Sequence, residues 1–311
     1  MTAEKIQPLG LRSIRDLSFR LGIARETLED VAACAGRYYR PFPKRTGAKV
    51  RWIDNPVGPL RTLQDCIQAR LLRPLRLPDY LHGGIPRRSP RTNAIAHLGQ
   101  QVVVRADIGD CFPSITHQHV FRVWRETLGC TPTIARLLTQ LTTFERHLPQ
   151  GAPTSTTLAN LVLHAAGAHV RQVCAVLGLT YTTFIDDLTF SGEEAPGVLN
   201  TASLAFRKAG FRLPHHKIKI LRAGAQKQIT GVILGPNPTV PKEMKSKVRA
   251  ALHRLSSVSP GSETWGTALR STHGLISHIS SIDLKTGKQL RAILEGIKRP
   301  RTRNSEAAFR G

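Results

Sequence analysis

Apolar residues recur along this chain at helical, alternating and continuous spacings, and the changes of spacing predict its elements. In residues 1 to 35, Leu11, Ile14, Leu17, Leu21 and Ile23 fall near helical spacing. Residues 38 to 56, YYRPFPKRTGAKVRWIDNP, read as a basic, proline-bounded hairpin turning at Thr46-Gly47. Residues 60 to 76 predict an amphipathic helix stopped near Pro74, and 82 to 97 a loop of Gly, Pro and Arg. QVVVRADI (101 to 108) is a short apolar strand ending in an acid. Helical patterns follow at 117 to 128 and 132 to 145, and a long one starts near Thr156. A strand, an Asp-Asp pair, a second strand, a helix over 197 to 210 and two short strand segments complete the middle of the chain. From Val240 the pattern is helical and basic. Helices on one face of a small antiparallel sheet predict an α+β core with helical flanks.

Charge changes this picture. The 311 residues hold 45 Lys and Arg against 21 Asp and Glu, a net charge of +24. Such a surplus repels itself in a folded chain and points to a polyanionic partner, RNA or DNA. Five scattered cysteines, odd in number and without a C-x-x-C pair, argue against a disulfide framework or a zinc finger and fit a reducing cytoplasm. The first residues show no apolar signal-peptide core, and no run of about 18 apolar residues predicts a membrane span.

In a chain so short of acids, Asp186 and Asp187 stand side by side between two apolar strands. Taken alone, the pair is an ordinary polar turn. Asp107, however, closes the Val102-Val103-Val104 strand and places a third carboxylate at a sheet's edge. Clustered carboxylates repel unless cations lie between them. Hard oxygen donors suit Mg²⁺, and two such ions about 4 Å apart clamp the attacking and leaving oxygens of phosphoryl transfer.

Several blocks occur together and in order. Asp107-Ile-Gly-Asp-Cys-Phe112-Pro-Ser-Ile115 resembles the first catalytic motif of reverse transcriptases. Pro149-Gln150-Gly151-Ala-Pro153-Thr154-Ser155 with Leu158-Ala159-Asn160 resembles their second, Phe184-Ile185-Asp186-Asp187 their third, and Gly210-Phe211 with Lys217 their fourth. Asn93-Ala94-Ile95-Ala96-His97 is similar to the N-A-x-x-H element of bacterial retron enzymes, and Ile229-Thr230-Gly231 to their V-T-G element. Lys49-Val-Arg51 with Pro56, and His82-Gly83, resemble their fingers region. The likeness covers about residues 38 to 280. It departs at Phe-Ile-Asp-Asp, where Tyr-Ala-Asp-Asp is usual, at T-S-T-T for T-S-P, at His82-Gly83-Gly84 for H-G-F, and at Leu213-Pro214, where Asn is common.

The resemblance implies a right-hand polymerase with fingers, palm and helical thumb. On this reading residues 1–100 are N-terminal helices and fingers, 101–239 the palm with part of the fingers interleaved at 117–150, and 240–311 the thumb. It implies Asp107, Asp186, Asp187 and the main-chain carbonyl of Ile108 as ligands of two Mg²⁺ ions, with Mn²⁺ the alternative. Phe112 becomes a gate against the 2′-hydroxyl; otherwise it is a core phenylalanine. Gln150, Gly151 and Pro153 approach the incoming nucleotide, and Lys49, Arg51 and Lys217 its triphosphate. Asn93, His97, Phe184, Thr230, Gly231, Lys242, Lys245, Lys247 and Arg249 are the candidate RNA and primer contacts, the basic ones alternatively a solvated helical face. His215-His216 and His117-x-His119 lack an acid or cysteine at ligand spacing and are read as surface or RNA-contacting.

The implied function is synthesis of RNA-linked single-stranded DNA (msDNA) on a structured noncoding RNA that is both template and primer. The implied partners are deoxynucleoside triphosphates, a host ribonuclease H and an effector protein, in the cytoplasm of a bacterium and in antiphage defence, with no membrane. Two alternatives stand beside it. One is another prokaryotic reverse transcriptase, group II intron-like or diversity-generating. The other is a catalytically silent RNA-binding scaffold on the same fold.

Overall fold

In the computed structural model, which describes residues 6–47 and 49–298, the chain divides after Ala225 into two units. In the first, helix α1 (Ile14–Leu21) begins at Ser13, whose hydroxyl accepts the Asp16 N–H while the Asp16 carboxylate accepts the Ser13 N–H. This reciprocal cap sets the start; residues 6–12 are not helical, and residues 1–5 of the predicted helix lie outside the described residues. Helix α2 (Arg25–Ala33) follows. Strands β1 (Tyr39–Thr46) and β2 (Lys49–Pro56) pair antiparallel from Tyr39↔Pro56 to Thr46↔Lys49, the predicted hairpin. Its two-stranded form leaves an open edge, where Pro41 and Pro43 cost no ladder bond.

Helix α3 (Gly58–Ile67) passes into a π-wound turn at Gln68–Leu72. Within the segment predicted as loop, residues Pro90–Ile95 form helix α4. Ser89 and Thr92 cap it reciprocally, and the proline at its first position has no N–H to leave unpaired. The surrounding Gly, Pro and Arg concealed that signal.

Next come β3 (Val103–Asp107), the single turn α5 (Cys111–Ser114), α6 (His117–Arg122), α7 (Pro132–Thr142) and α8 (Ser155–Val176). Strands β4 (Thr180–Phe184) and β5 (Asp187–Ser191), helix α9 (Val198–Lys208) and strand β6 (Lys219–Leu221) complete the unit. The four strands make one antiparallel sheet in the order β4-β5-β3-β6, so the α+β prediction holds.

Strand alternation gives the sheet two unlike faces. Val104, Ala106, Leu188, Phe190, Tyr181 and Thr183 share one face and are buried. Tyr181 stacks on Phe190 with ring centroids 4.9 Å apart. Leu158, Leu161, Val162 and Val170 of α8 and Phe206 of α9 belong to the same core, which runs from Ile6 to Leu213. Each large apolar side chain buried there contributes about 1.5–3 kcal/mol. The opposite face carries Arg105 and Asp107, Asp187 and Thr189, Thr182 and Phe184, and Lys219.

The second unit opens with a hairpin of β7 (Gln228–Ile229) and β8 (Val232–Ile233). Thr230 and Gly231 turn it, both with positive φ (47° and 76°), as a two-residue hairpin turn requires. Helices α10 (Lys242–Ser256), α11 (Glu263–Ile282) and α12 (Leu284–Lys298) then pack through Val248, Leu252, Leu255, Ile276, Ile279, Leu290 and Leu294. Asp283, between α11 and α12, accepts the hydroxyls of Thr239 (2.5 Å) and Thr286 (2.8 Å) and lies 3.8 Å from Lys245. Among the described residues no helix is long and apolar enough to cross a membrane.

Candidate active site

β3 and β5 run antiparallel with Asp107 directly opposite Asp187, and Phe184 opposite Asp187 on the other side. Directly opposed residues in such a pair have Cα atoms about 4.5–5.5 Å apart. Ile185 and Asp186 are therefore the two residues of a tight hairpin turn. Ile185 has φ 60°, a left-handed conformation that a β-branched residue rarely adopts. Such strain persists only where surrounding contacts impose it. Here the His82–Gly84 loop does so. His82 N–H donates to Thr183 (2.7 Å), Thr183 N–H donates to Tyr80 (2.8 Å), and the Asn160 side-chain amide donates to the Gly83 carbonyl (2.7 Å). A methyl at Gly83 would lie 2.7 Å from the Ile185 nitrogen and 2.4 Å from its Cγ1. Only glycine lets the loop sit against the turn.

A cleft of about 1220 Å³ opens over this end of the sheet. Asp107, Ile108, Phe112, Gln150, Asp186, Asp187, Lys217 and Arg51 all line it, so eight of the predicted site residues share one cavity. Phe112 is half-buried, its ring against the core. Gly151 and Pro153 belong to the loop before α8. Gly151, with φ 120°, lets that loop close on β2: an added Cβ would stand 2.7 Å from Ile53. Lys49 begins β2, and its side chain lies outside the described residues.

Asp186 has its pKa pushed up to about 6, chiefly by burial and next by the charge of Asp107. Burial also raises Asp187, against the opposing charge of Arg105. Two neighbouring carboxylates held above their ordinary range, Asp186 and Asp187, favour a nearby cation. Lys217 already supplies one: its ammonium bonds the Asp107 carboxylate and approaches the Ile108 carbonyl at 3.5 Å. Those are two of the four predicted metal donors. All four are hard oxygens, and their chemistry fits a divalent ion that keeps water and phosphate ligands. Among the described residues no three His, Cys, Asp or Glu side chains are already gathered as a metal cluster.

The remaining predicted residues lie elsewhere. Asn93 and His97 are fully buried. The two nitrogens of His97 reach Ser191 Oγ (2.7 Å) and Thr182 Oγ1 (2.8 Å), tying β4 to β5, the strands that flank the Ile185–Asp186 turn. That corrects the expectation of direct RNA contact, since neither residue has surface to offer. Phe184 is half-buried beside Asp187. In the second unit Thr230 is half-buried and Gly231 exposed, Lys242, Lys247 and Arg249 are exposed on α10, and Lys245 faces Asp283.

Further polar residues that the motifs do not single out also line the cleft: Asp54, Arg105, Asp110, Glu145, His147 and Lys219. Arg105 was legible, since strand alternation puts it on the face of Asp107. Asp54 was not, because its value lies in a long-range bond. Its carboxylate accepts the Gln150 N–H at 3.0 Å and meets His147 Nε2 at 3.4 Å.

Residues 42–235 match the family model described as reverse transcriptase (RNA-dependent DNA polymerase). The chain is 33% identical to the retron Mx65 reverse transcriptase of Myxococcus xanthus, over 73% of its own length and 62% of that relative. It is 30% identical to the retron Mx162 reverse transcriptase of the same organism, over 83% and 60%. To the retron Ec86 reverse transcriptase of Escherichia coli it is 27% identical over 96% and 95%. It thus spans about three-fifths of the length of the two Myxococcus relatives.

Proposed function

Because the chain belongs to the reverse transcriptase family, of the retron type, we propose that it polymerises DNA on an RNA template. The observation that carries this reading is the convergence of Asp107, Asp186 and Asp187 in one cleft with Phe112, Gln150, Arg51 and Lys217. A silent scaffold has no use for buried carboxylates that repel one another.

Asp107, Asp186, Asp187 and the Ile108 carbonyl hold the divalent ions. Such ions would supply Lewis-acid chemistry there, making the attacking hydroxyl more acidic and offsetting phosphate charge. The 3′-hydroxyl of the growing strand attacks the α-phosphorus of a deoxynucleoside triphosphate, a new phosphodiester forms, and pyrophosphate leaves. At the first addition, as in retrons, a 2′-hydroxyl of the RNA takes that role. Phe112 abuts the sugar and excludes a ribonucleotide. Gln150, with Gly151 and Pro153 shaping its loop, positions the nucleotide. Arg51 and Lys49 grip the triphosphate, and Lys217 steadies or protonates the leaving pyrophosphate. The first unit supplies fingers and palm, and the basic α10 of the second acts as thumb against a template–primer hybrid, whose A-like form has a wide minor groove. The RNA is a cognate structured noncoding one, acting as both template and primer, and the product is RNA-linked DNA serving antiphage defence with a host ribonuclease H and an effector.

The test is Asp186→Ala, assayed for Mg²⁺-dependent DNA synthesis on an RNA template and, separately, for RNA binding. Synthesis is lost and binding survives. A variant that still makes DNA removes these carboxylates from the chemistry.

A further inference from the structure

Arg105 and Lys219 are Cα partners across β3 and β6, so their side chains leave the sheet on the same face. It is the face of Asp107 and Asp187, and both cations line the cleft. Like charges directly opposite each other in an antiparallel pair are destabilising. Arg105 has an acidic neighbour in Asp187, but at 3.9 Å the two are too far apart for a hydrogen bond. Lys219 is exposed and makes no ion pair among the described residues. Lys217, by contrast, is taken up by Asp107. The sheet thus presents two adjacent cations, short of acceptors, beside three carboxylates. An anion with several oxygens completes such a pair, and arginine's fork suits a phosphate best.

We infer that Arg105 and Lys219 form a phosphate subsite on the floor of the cleft, separate from the cations already assigned to the triphosphate. The inference rests on the polymerase reading for the source of the phosphate: the backbone of the growing strand or the incoming nucleotide. Both carry the same chemistry, and kinetics tell them apart. An arginine two residues before the first catalytic aspartate then has a double duty. It tempers the charge of Asp187 and helps hold the substrate phosphate in register with the carboxylates.

Lys219 gives the cleaner test, because replacing Arg105 also strips Asp187 of its counter-charge. Lys219→Gln removes the charge while keeping a polar side chain, one atom shorter, on an exposed edge strand, and its melting curve checks the fold. Template–primer binding is measured by fluorescence anisotropy in EDTA over a salt series, and nucleotide KM separately. If the strand's phosphate sits there, affinity falls about 3–10-fold at low salt and the log–log salt slope drops by about 1, with KM unchanged. If the nucleotide's phosphate sits there, KM rises by a similar factor while strand affinity holds. Lys219→Arg restores either quantity. Unchanged affinity, salt slope and KM in Lys219→Gln overturn the subsite. Binding needs no synthesis, so a wild-type chain that binds template–primer yet makes no DNA sinks the polymerase reading and leaves the subsite to the binding data.

Discussion

Asp54 and Gln150 exchange backbone and side-chain hydrogen bonds across 96 residues of chain. Asp54 N–H donates to the Gln150 carbonyl at 2.9 Å, and Gln150 N–H donates to the Asp54 carboxylate at 3.0 Å. The pair clamps the β1–β2 hairpin, which carries Arg51, to the loop that carries Gln150. Asp54→Ala leaves the part-buried Gln150 N–H without its acceptor, which costs about 1 kcal/mol. The expected outcome is a several-fold rise in nucleotide KM with a smaller change in kcat, because the clamp positions and does not react. Steady-state kinetics checks it; a fall confined to kcat would contradict the clamp.

Gly83 is the second pressure point. In Gly83→Ala the new methyl meets the backbone nitrogen of Ile185, which no side-chain rotation relieves. Overpacking of this kind costs about 1–3 kcal/mol. Here the strain falls on the turn that aims Asp186, so kcat drops at least tenfold. Gly36→Ala, where an added Cβ meets nothing within 4 Å, keeps full activity. Equal rates in the two variants would show that the turn tolerates the shift.

Phe112 lies at the cleft wall with its ring against the core. Phe112→Ala opens space where a ribose 2′-hydroxyl would clash. The expected outcome is that ribonucleotide incorporation rises by about tenfold or more while deoxynucleotide use falls modestly, since relief of a clash with one small substituent in a pocket is worth about 1–3 kcal/mol. Competition between dNTP and rNTP in primer extension reads the ratio. An unchanged ratio makes Phe112 a core residue and nothing more.

These elements differ in how much of them the sequence revealed. Val102 to Asp107 announced a strand because its apolar run ends in an acid, and the Asp-Asp between two β-rich runs announced a hairpin. The order of the motif blocks put Phe112, Gln150 and Lys217 near them. What stayed hidden depends on contacts distant in the chain. The resemblance made Asn93 and His97 RNA or primer contacts, yet both are fully buried, and Thr182 of β4 and Ser191 of β5 bond the imidazole. The role of Asp54 rests on a partner 96 residues away, which local spacing does not encode. The clustering of the described residues from Ile6 to Ala225 into one unit follows from a shared core, which periodicity does not encode.

Burial of the Asp186 carboxylate weakens the fold. An aspartate ordinarily titrates near 3.8, but Asp186 in the folded chain does so at about 6, chiefly because it is buried and next because Asp107 is close. Between these pH values the folded chain keeps a proton that the unfolded chain has released. Stability contributed by that proton is present at low pH and is lost as pH rises through about 6. Above that range Asp186 is charged at a cost of about 1–3 kcal/mol, the lower part of the range applying where solvent reaches the group. Asp186→Asn removes the cost. In EDTA at pH 7.5 its denaturant midpoint exceeds that of the wild type, and the gap closes at pH 4. Divalent ions narrow the gap from the other side by stabilising only the wild type. A variant that is no more stable than the wild type at pH 7.5 in EDTA would show that Asp186 carries no such strain.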